Sequence, residues 1–373
     1  MNQSINQDLE KELASRRKLG LLRKLEVHTR GIDFTSNDYL GLLDSPHYQE
    51  IIQSETSNFA PGSSGSRLLS GNLVIHELFE KEAAKFHQSE AGLAFNSGYD
   101  ANLGLIQGLC REGDVLFSDE LNHASIIDGI RLSKAEKCLF KHHDLDDLEK
   151  KIQGFDAKKR KWILVEAVYS MDGDICPLED LVKIAKKYQA NILLDEAHSG
   201  GVYGPKGEGL AVELGLHKEI FARVMTFGKA WGNHGAIVLG STILKEYLVN
   251  FSRSFIYSTS PSPKTMKTLL NTLKLLPELE RERANLKENI QYFRGKINPS
   301  FWINSSSSIQ SILVPGNEEV RKKASKAQES GFIVKPIVYP TVSKGKERIR
   351  ICLKANHPKE AIHNLIKILE NES

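Results

Sequence analysis

The chain has 373 residues, 40% of them hydrophobic, with 50 Lys and Arg against 47 Asp and Glu. That length buries a substantial core and suggests two domains, or one large and one small, while a formal charge of only +3 sets up no strong field and argues against a nucleic-acid partner. The four cysteines, at 110, 138, 176 and 352, form no CxxC pair, which speaks against a metal site and for a reducing, cytoplasmic setting, and no stretch approaches the roughly 18 apolar residues of a membrane span.

Up to about residue 45 the pattern is a charged amphipathic helix, a short strand and "SNDYLGL". From 46 to 262, seven short apolar runs alternate with helical patterns. "AGLAFN" precedes "ANLGLIQGLC", "DVLFSD" precedes "HASIIDGIRLS", "KCLFKH" precedes "DLDDLEKKI", and "WILVEAVYS" precedes "LEDLVKIAKKYQ"; "ANILLDEA", "RVMTFG" and "GAIVLGS" come next. Strands buried on both faces read as continuous apolar runs, and a parallel sheet needs crossover helices, so the alternation predicts a large α/β domain. The basic run Lys158, Lys159, Arg160, Lys161 reads as a solvated turn ahead of one strand. A long helical stretch, 263 to 296, leads to "SIQSILV", a helix through "EEVRKKASKAQESG", "FIVKPIV", "RIRICLKA" and a last helix begun by Pro358, a residue suited to a first helical turn. Residues 263 to 373 are therefore expected to form a linking helix and a small α+β domain.

The stretch "ILLDEAHSGG", 192 to 201, raises the chemical question. Asp-Glu-Ala-His after an apolar run is also how helicases present a metal-binding acidic pair, but such ATPases need a glycine loop ending in Gly-Lys-Ser or Gly-Lys-Thr. Here the Gly-Lys pairs are followed by Ala230, Ile297 and Glu347, so that reading fails. The segment downstream of the acid is more telling, because Lys229 stands just beyond the strand-like "RVMTFG". Asp195 and Lys229 would then project at the carboxyl ends of parallel strands, where open α/β sheets bind ligands. A partly desolvated lysine can form a Schiff base with an aldehyde, and an acid opposite can hold a pyridine nitrogen protonated. "FNSGYDAN" sets Ser97, Gly98 and Tyr99 between a strand and a helix, so their amides suit a phosphate, although a plain strand-to-helix turn reads the same way. Thr226 could add its hydroxyl. His123 could stack on a cofactor ring and His198 touch the ring hydroxyl; from the residues alone, a helix cap or a satisfied core histidine is equally open for each.

Taken together, "SNDYLGL", "GSRLLSGN", "NSGYDANLGL", "LNHASIIDG", "SMDGD", "DEAHSGGVYG", "TFGK", "IYSTS" and the pair "YPTV" and "RIRI" resemble the α-oxoamine synthases over nearly the whole chain. These are pyridoxal 5'-phosphate (PLP) enzymes of aminotransferase fold type I. The resemblance implies a large, mostly parallel seven-stranded sheet domain with a small C-terminal domain, PLP as cofactor, and a decarboxylating condensation of an amino acid with an acyl thioester. The length, "SRLLSGN" and "PTV" favour the branch joining L-alanine to a pimeloyl thioester, on coenzyme A or acyl carrier protein, in biotin synthesis. Branches that use glycine or serine share most of the motifs, and an aminotransferase or lyase on the same fold would share Lys229 and Asp195.

By the same resemblance Lys229 carries the cofactor and moves the α-proton, Asp195 pairs with the pyridine nitrogen and His123 stacks on the ring. His198 and Asn37 lie near the ring hydroxyl, with Ser97, Ser170, Thr226 and the Gly98 and Tyr99 amides around the cofactor. Arg350 grips the substrate carboxylate, though on position alone it could be a surface strand arginine. Arg23 and Thr341 face the acyl substrate, and Thr259 reaches the phosphate of a partner subunit, which implies a homodimer. One departure stands out. Where the family often carries a Thr after "DEAH", this chain reads Ser199-Gly200-Gly201, and Ala230, Trp231 and His234 lie just past Lys229. These changes are expected to line the approach to the cofactor.

Overall fold

A computed structural model describes residues 2–25, 27, 30–54 and 56–371. The chain divides into two compact units: residues 37–287 with 354–356, and residues 1–36 with 288–353 and 357–373. The first strand, β1 (Ile32–Asp33), belongs to the smaller unit.

The larger unit is built on seven strands: β2 (Ala91–Phe95), β3 (Val115–Asp119), β4 (Glu136–Phe140), β5 (Lys161–Glu166), β6 (Ala190–Asp195), β7 (Ala222–Thr226) and β8 (Ala236–Gly240). Their order is β2-β8-β7-β6-β5-β3-β4. β3 to β7 pair in parallel, and β8 runs antiparallel to both its neighbours. The sequence shows why. Successive side chains on a strand face opposite sides, and both sides here are apolar. Leu116, Trp162, Leu164, Leu193 and Val224 pack one face against Leu105 of helix Gly98–Leu109 and Ile126 of helix Ala124–Leu132. Val115, Phe117, Ile163, Val165, Ile192 and Leu194 pack the other against Leu178, Leu181 and Ala185 of helix Leu178–Lys187. Each such large side chain contributes about 1.5–3 kcal/mol by leaving water. From β3 the chain goes outward to β4 and then back through β5, β6 and β7, so the strand order reverses beside β3, which is where an open α/β sheet forms a ligand crevice.

In the smaller unit, β9 (Ile309–Leu313), β10 (Phe332–Ile333), β11 (Lys335–Ile337) and β12 (Arg348–Cys352) complete the chain. β9, β11 and β12 make an antiparallel sheet in the order β11-β12-β9, and β10 pairs in parallel with β1. "FIVKPIV" is thus two strands, with Pro336 on an edge strand, where a missing N–H is tolerated. The expected helix over 263–296 is likewise two, Pro263–Leu275 and Glu280–Arg294, separated by a 3-10 turn, Leu276–Glu278. Pro277 in that turn lacks the N–H that would continue the helix. The basic run is not wholly a solvated turn: Lys161 opens β5 and is buried, its Nζ donating to the carbonyls of Ala157 and Lys159, while Arg160 pairs with Asp114 at 2.7 Å. Pro358 sits just ahead of helix Lys359–Glu370, with φ −64.

Candidate active site

A cavity of about 240 Å³ opens in the larger unit at the carboxyl ends of β5, β6 and β7, lined by Glu166, Asp195 and Thr226 from those ends. Asp195 is the last residue of β6 and is buried. Its Oδ2 accepts from Asn102 Nδ2 at 2.6 Å and its Oδ1 from the Ala197 N–H at 2.8 Å, so the carboxylate is fixed in orientation and hydrogen-bonded as burial of a charge requires. Lys229 comes after β7 on a loop closed by short backbone bonds, Gly232 N to Lys229 O at 2.9 Å and Asn233 N to Phe227 O at 2.8 Å. Its Nζ donates to Thr226 Oγ1 at 3.4 Å. Both residues line the same cavity.

For His123 the sequence left a helix cap and a place against the cofactor ring as alternatives. His123 caps helix Ala124–Leu132, with Nδ1 accepting from the Ser125 N–H, and its ring also lines the cavity. Burial holds its pKa below the usual value, opposed by Asp195 and reinforced by Lys229, so it presents a neutral ring face. Its backbone N–H donates to Glu166 Oε1 at 2.6 Å. His198 is buried, with Nδ1 2.6 Å from the Tyr39 hydroxyl, which in turn donates to Asn37 Oδ1 at 3.1 Å. Asn37 and His198 therefore form one hydrogen-bonded string on the cavity wall.

At the amino end of helix Gly98–Leu109, Ser97 is the cap, accepting from the Asp100 N–H at 3.1 Å. Its hydroxyl is thus committed to the helix, while Gly98 and Tyr99 occupy the first turn, where N–H groups have no intrahelical partner. A Cβ on Gly98 would lie 2.5 Å from Thr226 Cγ2, so only glycine lets the helix end approach β7 this closely. The Tyr99 hydroxyl donates to the Asp128 carboxylate, and its ring meets His123 edge-on at 6.5 Å.

The cavity brings together Asn37, Ser97, Gly98, Tyr99, His123, Asp195, His198, Thr226 and Lys229. Ser170 lies on the turn after β5, outside the lining, and its backbone N–H bonds the Glu166 carboxylate. Thr259 is exposed, and its carbonyl accepts from Asn96 Nδ2 at 2.8 Å. Arg23, Thr341 and Arg350 belong to the smaller unit. There Arg23 Nη2 donates to Thr341 Oγ1 at 3.1 Å and both line one groove; Arg350 is half-buried on β12 opposite Lys335 and Ser311.

Two residues escaped the sequence reading. Asn102 holds Asp195 from the middle of a helix, and Glu166 ends β5 directly opposite Asp195. For Glu166 a signal existed, since "WILVE" and "ILLD" are adjacent buried strands that both end in an acid. The expectation about the departures needs correction. Ser199 is buried and donates to Glu196 Oε2 at 2.6 Å, and Trp231 is buried against Phe227 and stacked on His87 at 5.9 Å. Gly200 and Gly201 pack against Met225 Sδ and Ala230 Cβ. Of those positions only His234 lines the cavity.

The donor set fits PLP: an amine for its aldehyde, a braced carboxylate for its ring nitrogen, a neutral imidazole for its face, and a helix end narrowed to glycine for its phosphate. The profile of the family described as "Aminotransferase class I and II" matches residues 29–369. An "8-amino-7-oxononanoate synthase" of Lysinibacillus sphaericus is 38% identical over 376 residues, covering 97% of each chain. The crystal structure of 8-amino-7-oxononanoate synthase from Francisella tularensis superposes with a TM-score of 0.78 at 32% identity, over 91% of this chain and 96% of that one. A serine palmitoyltransferase from S. paucimobilis with bound PLP and myriocin gives 0.89 at 26% identity, over 98% and 96%. The chain belongs to the class I and II aminotransferase family, in its α-oxoamine synthase branch. It is a PLP-dependent acyltransferase of fold type I.

Proposed function

We propose that this chain joins L-alanine to a pimeloyl thioester, carried on coenzyme A or acyl carrier protein, releasing the thiol and carbon dioxide and yielding 8-amino-7-oxononanoate for biotin synthesis. The observation that carries the reading is Lys229 and the Asn102-braced Asp195 lining one cavity beside a glycine-narrowed helix end, in a chain whose relatives bear that activity's name. When bound, PLP supplies an electron sink for charge left at the substrate's α-carbon. The chain's own residues do the rest. Asp195 holds a proton on the ring nitrogen, His123 covers the ring face, and His198 with Asn37 fixes the ring oxygen. The Ser97, Gly98 and Tyr99 amides and the Thr226 hydroxyl hold the phosphate side, and Ser170 lies beside the cofactor. Lys229 Nζ takes the α-proton and returns one to the product. Arg350 clamps the amino-acid carboxylate until that group leaves as carbon dioxide, while Arg23 and Thr341 bind the acyl part.

The same reading takes residues 46–262 as the cofactor-binding domain, 263–373 as the linking helix and small C-terminal domain, and 1–45 as an N-terminal helix and strand segment. It includes a homodimer in which Thr259 reaches the partner's phosphate. Leu69 and Val74, 83% and 84% exposed in and beside "SRLLSGN", support such an interface. A cytoplasmic location accords with four free cysteines, and among the described residues no helix is long and apolar enough to cross a membrane.

The test is turnover of the purified protein with alanine, glycine or serine against acetyl, succinyl, pimeloyl and palmitoyl thioesters. Thiol release with alanine and the pimeloyl thioester is expected to exceed every other pair. Preferred use of serine with palmitoyl thioester, or amino transfer without thiol release, would overturn the assignment.

A further inference from the structure

Beside the cavity, a second group of titratable side chains ties the end of β3 to the turn after β5. His142 places Nδ1 3.0 Å from Asp119 and Nε2 2.5 Å from Asp174. His143 stacks on it, ring centroids 3.9 Å apart at 25°, with its Nδ1 3.2 Å from Asp174. Tyr169 packs edge-on against both rings. Asp174 closes a tight turn. Tyr169 N–H donates to Asp174 O at 3.0 Å, Gly173 N–H to Tyr169 O at 2.9 Å, and Gly173 takes φ 74, a conformation that favours glycine. Ser170 rides on this turn, and its N–H bonds Glu166 in the cavity wall.

We propose that His142 is a positioning residue for the reaction: as an imidazolium bridging Asp119 and Asp174, it fixes the 169–174 turn and so holds Ser170 beside the cofactor. The inference rests on the reading of Ser170 as a cofactor contact. A carboxylate at each ring nitrogen calls for an N–H on both, which is the charged form. Burial disfavours that charge, but the hydrogen bonds to Asp119 and Asp174 outweigh it and raise His142 to about 9. His143 is pushed the other way by burial and by the His142 charge, and is neutral. The remaining titratable groups nearby are Glu120, which accepts the His142 backbone N–H at 3.2 Å, and the Tyr169 phenol and Cys176 thiol, both pushed up by burial. Asp119, His142 and His143 also lie close enough to share a metal ion. Stacked rings, however, direct their lone pairs along near-parallel planes rather than toward one point, and both His142 nitrogens already face carboxylates. The ion-pair reading is therefore favoured.

A raised histidine pKa sets the sign of the pH effect. The clamp is at full strength below the ordinary value of 6.5 and is lost as pH rises through about 9. Amide hydrogen exchange over 168–176 in the full-length holoenzyme, corrected for intrinsic exchange, reads this directly. His142→Gln should speed exchange in the turn about tenfold at neutral pH while leaving helix Leu178–Lys187 unchanged, and should weaken PLP affinity by a similar factor. Asp174→Asn, which keeps the Asp119 half, should show the same change more weakly, and wild type should show it only at high pH. Wild-type exchange in both variants would overturn the clamp, and so would opening of the wild-type turn by EDTA, which would mean that a metal bridges these groups. An opened turn with unchanged PLP affinity in both His142→Gln and Ser170→Ala would support the clamp and overturn the role given to Ser170.

Discussion

Glu166 and Asp195 end β5 and β6 as directly paired residues, so two carboxyl groups enter the cavity wall side by side. Burial, and then the Asp195 charge, hold Glu166 well above the usual carboxylate range, which favours its protonated form. It accepts from the His123 N–H, and under the proposed function Asp195 is the carboxylate assigned to the ring nitrogen.

Glu166→Gln should accordingly keep the fold and most of the activity. An acid whose pKa is raised on folding loses stability as pH climbs from its unfolded value toward its folded one. Removing it should therefore raise Tm, and by more at pH 8 than at pH 5. A variant less stable than wild type at pH 8 would show that Glu166 is ionised in the folded protein.

Asn102→Ala removes the 2.6 Å donor to Asp195 Oδ2. A hydrogen bond to a charged group is worth about 1.5–3 kcal/mol, so kcat should fall roughly ten- to hundredfold. Asp195→Asn, which loses the charge itself, should cost on the order of a thousandfold or more with the fold retained. Steady-state kinetics alongside circular dichroism check both. Equal losses in the two would mean that Asn102 does more than brace Asp195.

The contact between Gly98 and Thr226 makes a rescue prediction. Gly98→Ala places a Cβ 2.5 Å from Thr226 Cγ2, and the branched side chain has few rotamers in which to yield. PLP affinity should drop at least about tenfold. Adding Thr226→Ser removes the methyl, keeps the hydroxyl, and should restore most of the binding. No recovery in the double variant would place the cost elsewhere on the helix end.

Whether a feature was legible in the sequence depended on its physics. The seven strands were legible because burial on both faces makes them continuous apolar runs, and Asp195, Thr226 and Lys229 were legible because each sits at or just beyond such a run. Asn102 was hidden: it is one polar residue in an apolar helix, and its partner stands 93 positions away. His142, Asp119 and Asp174 are likewise joined only by the crossing of β3, β4 and β5. Lys161 was misread because composition shows its charge but not the backbone carbonyls of Ala157 and Lys159 that satisfy it.

Arg348 and Arg350 alternate on β12 on the same face, but Arg348 is 7% exposed and donates from Nε to the Lys346 carbonyl at 2.9 Å. Burial lowers its pKa. Arg350→Lys should weaken L-alanine binding by roughly 1.5–3 kcal/mol, because a point charge replaces a two-pronged donor. Arg348→Lys should affect stability rather than affinity. Alanine titrations followed by cofactor absorbance separate them, and the opposite pattern would transfer the clamp to Arg348.

The proposed function stands on the assignment of Lys229 as the residue that holds PLP. Borohydride reduction of the holoenzyme fixes the cofactor to the lysine that carries it, and peptide mapping by mass spectrometry then locates it. The adduct is expected on the peptide containing Thr226-Phe227-Gly228-Lys229, and Lys229→Ala should leave a folded protein with none. An adduct on any other lysine, or undiminished labelling of the Lys229→Ala variant, would contradict the account.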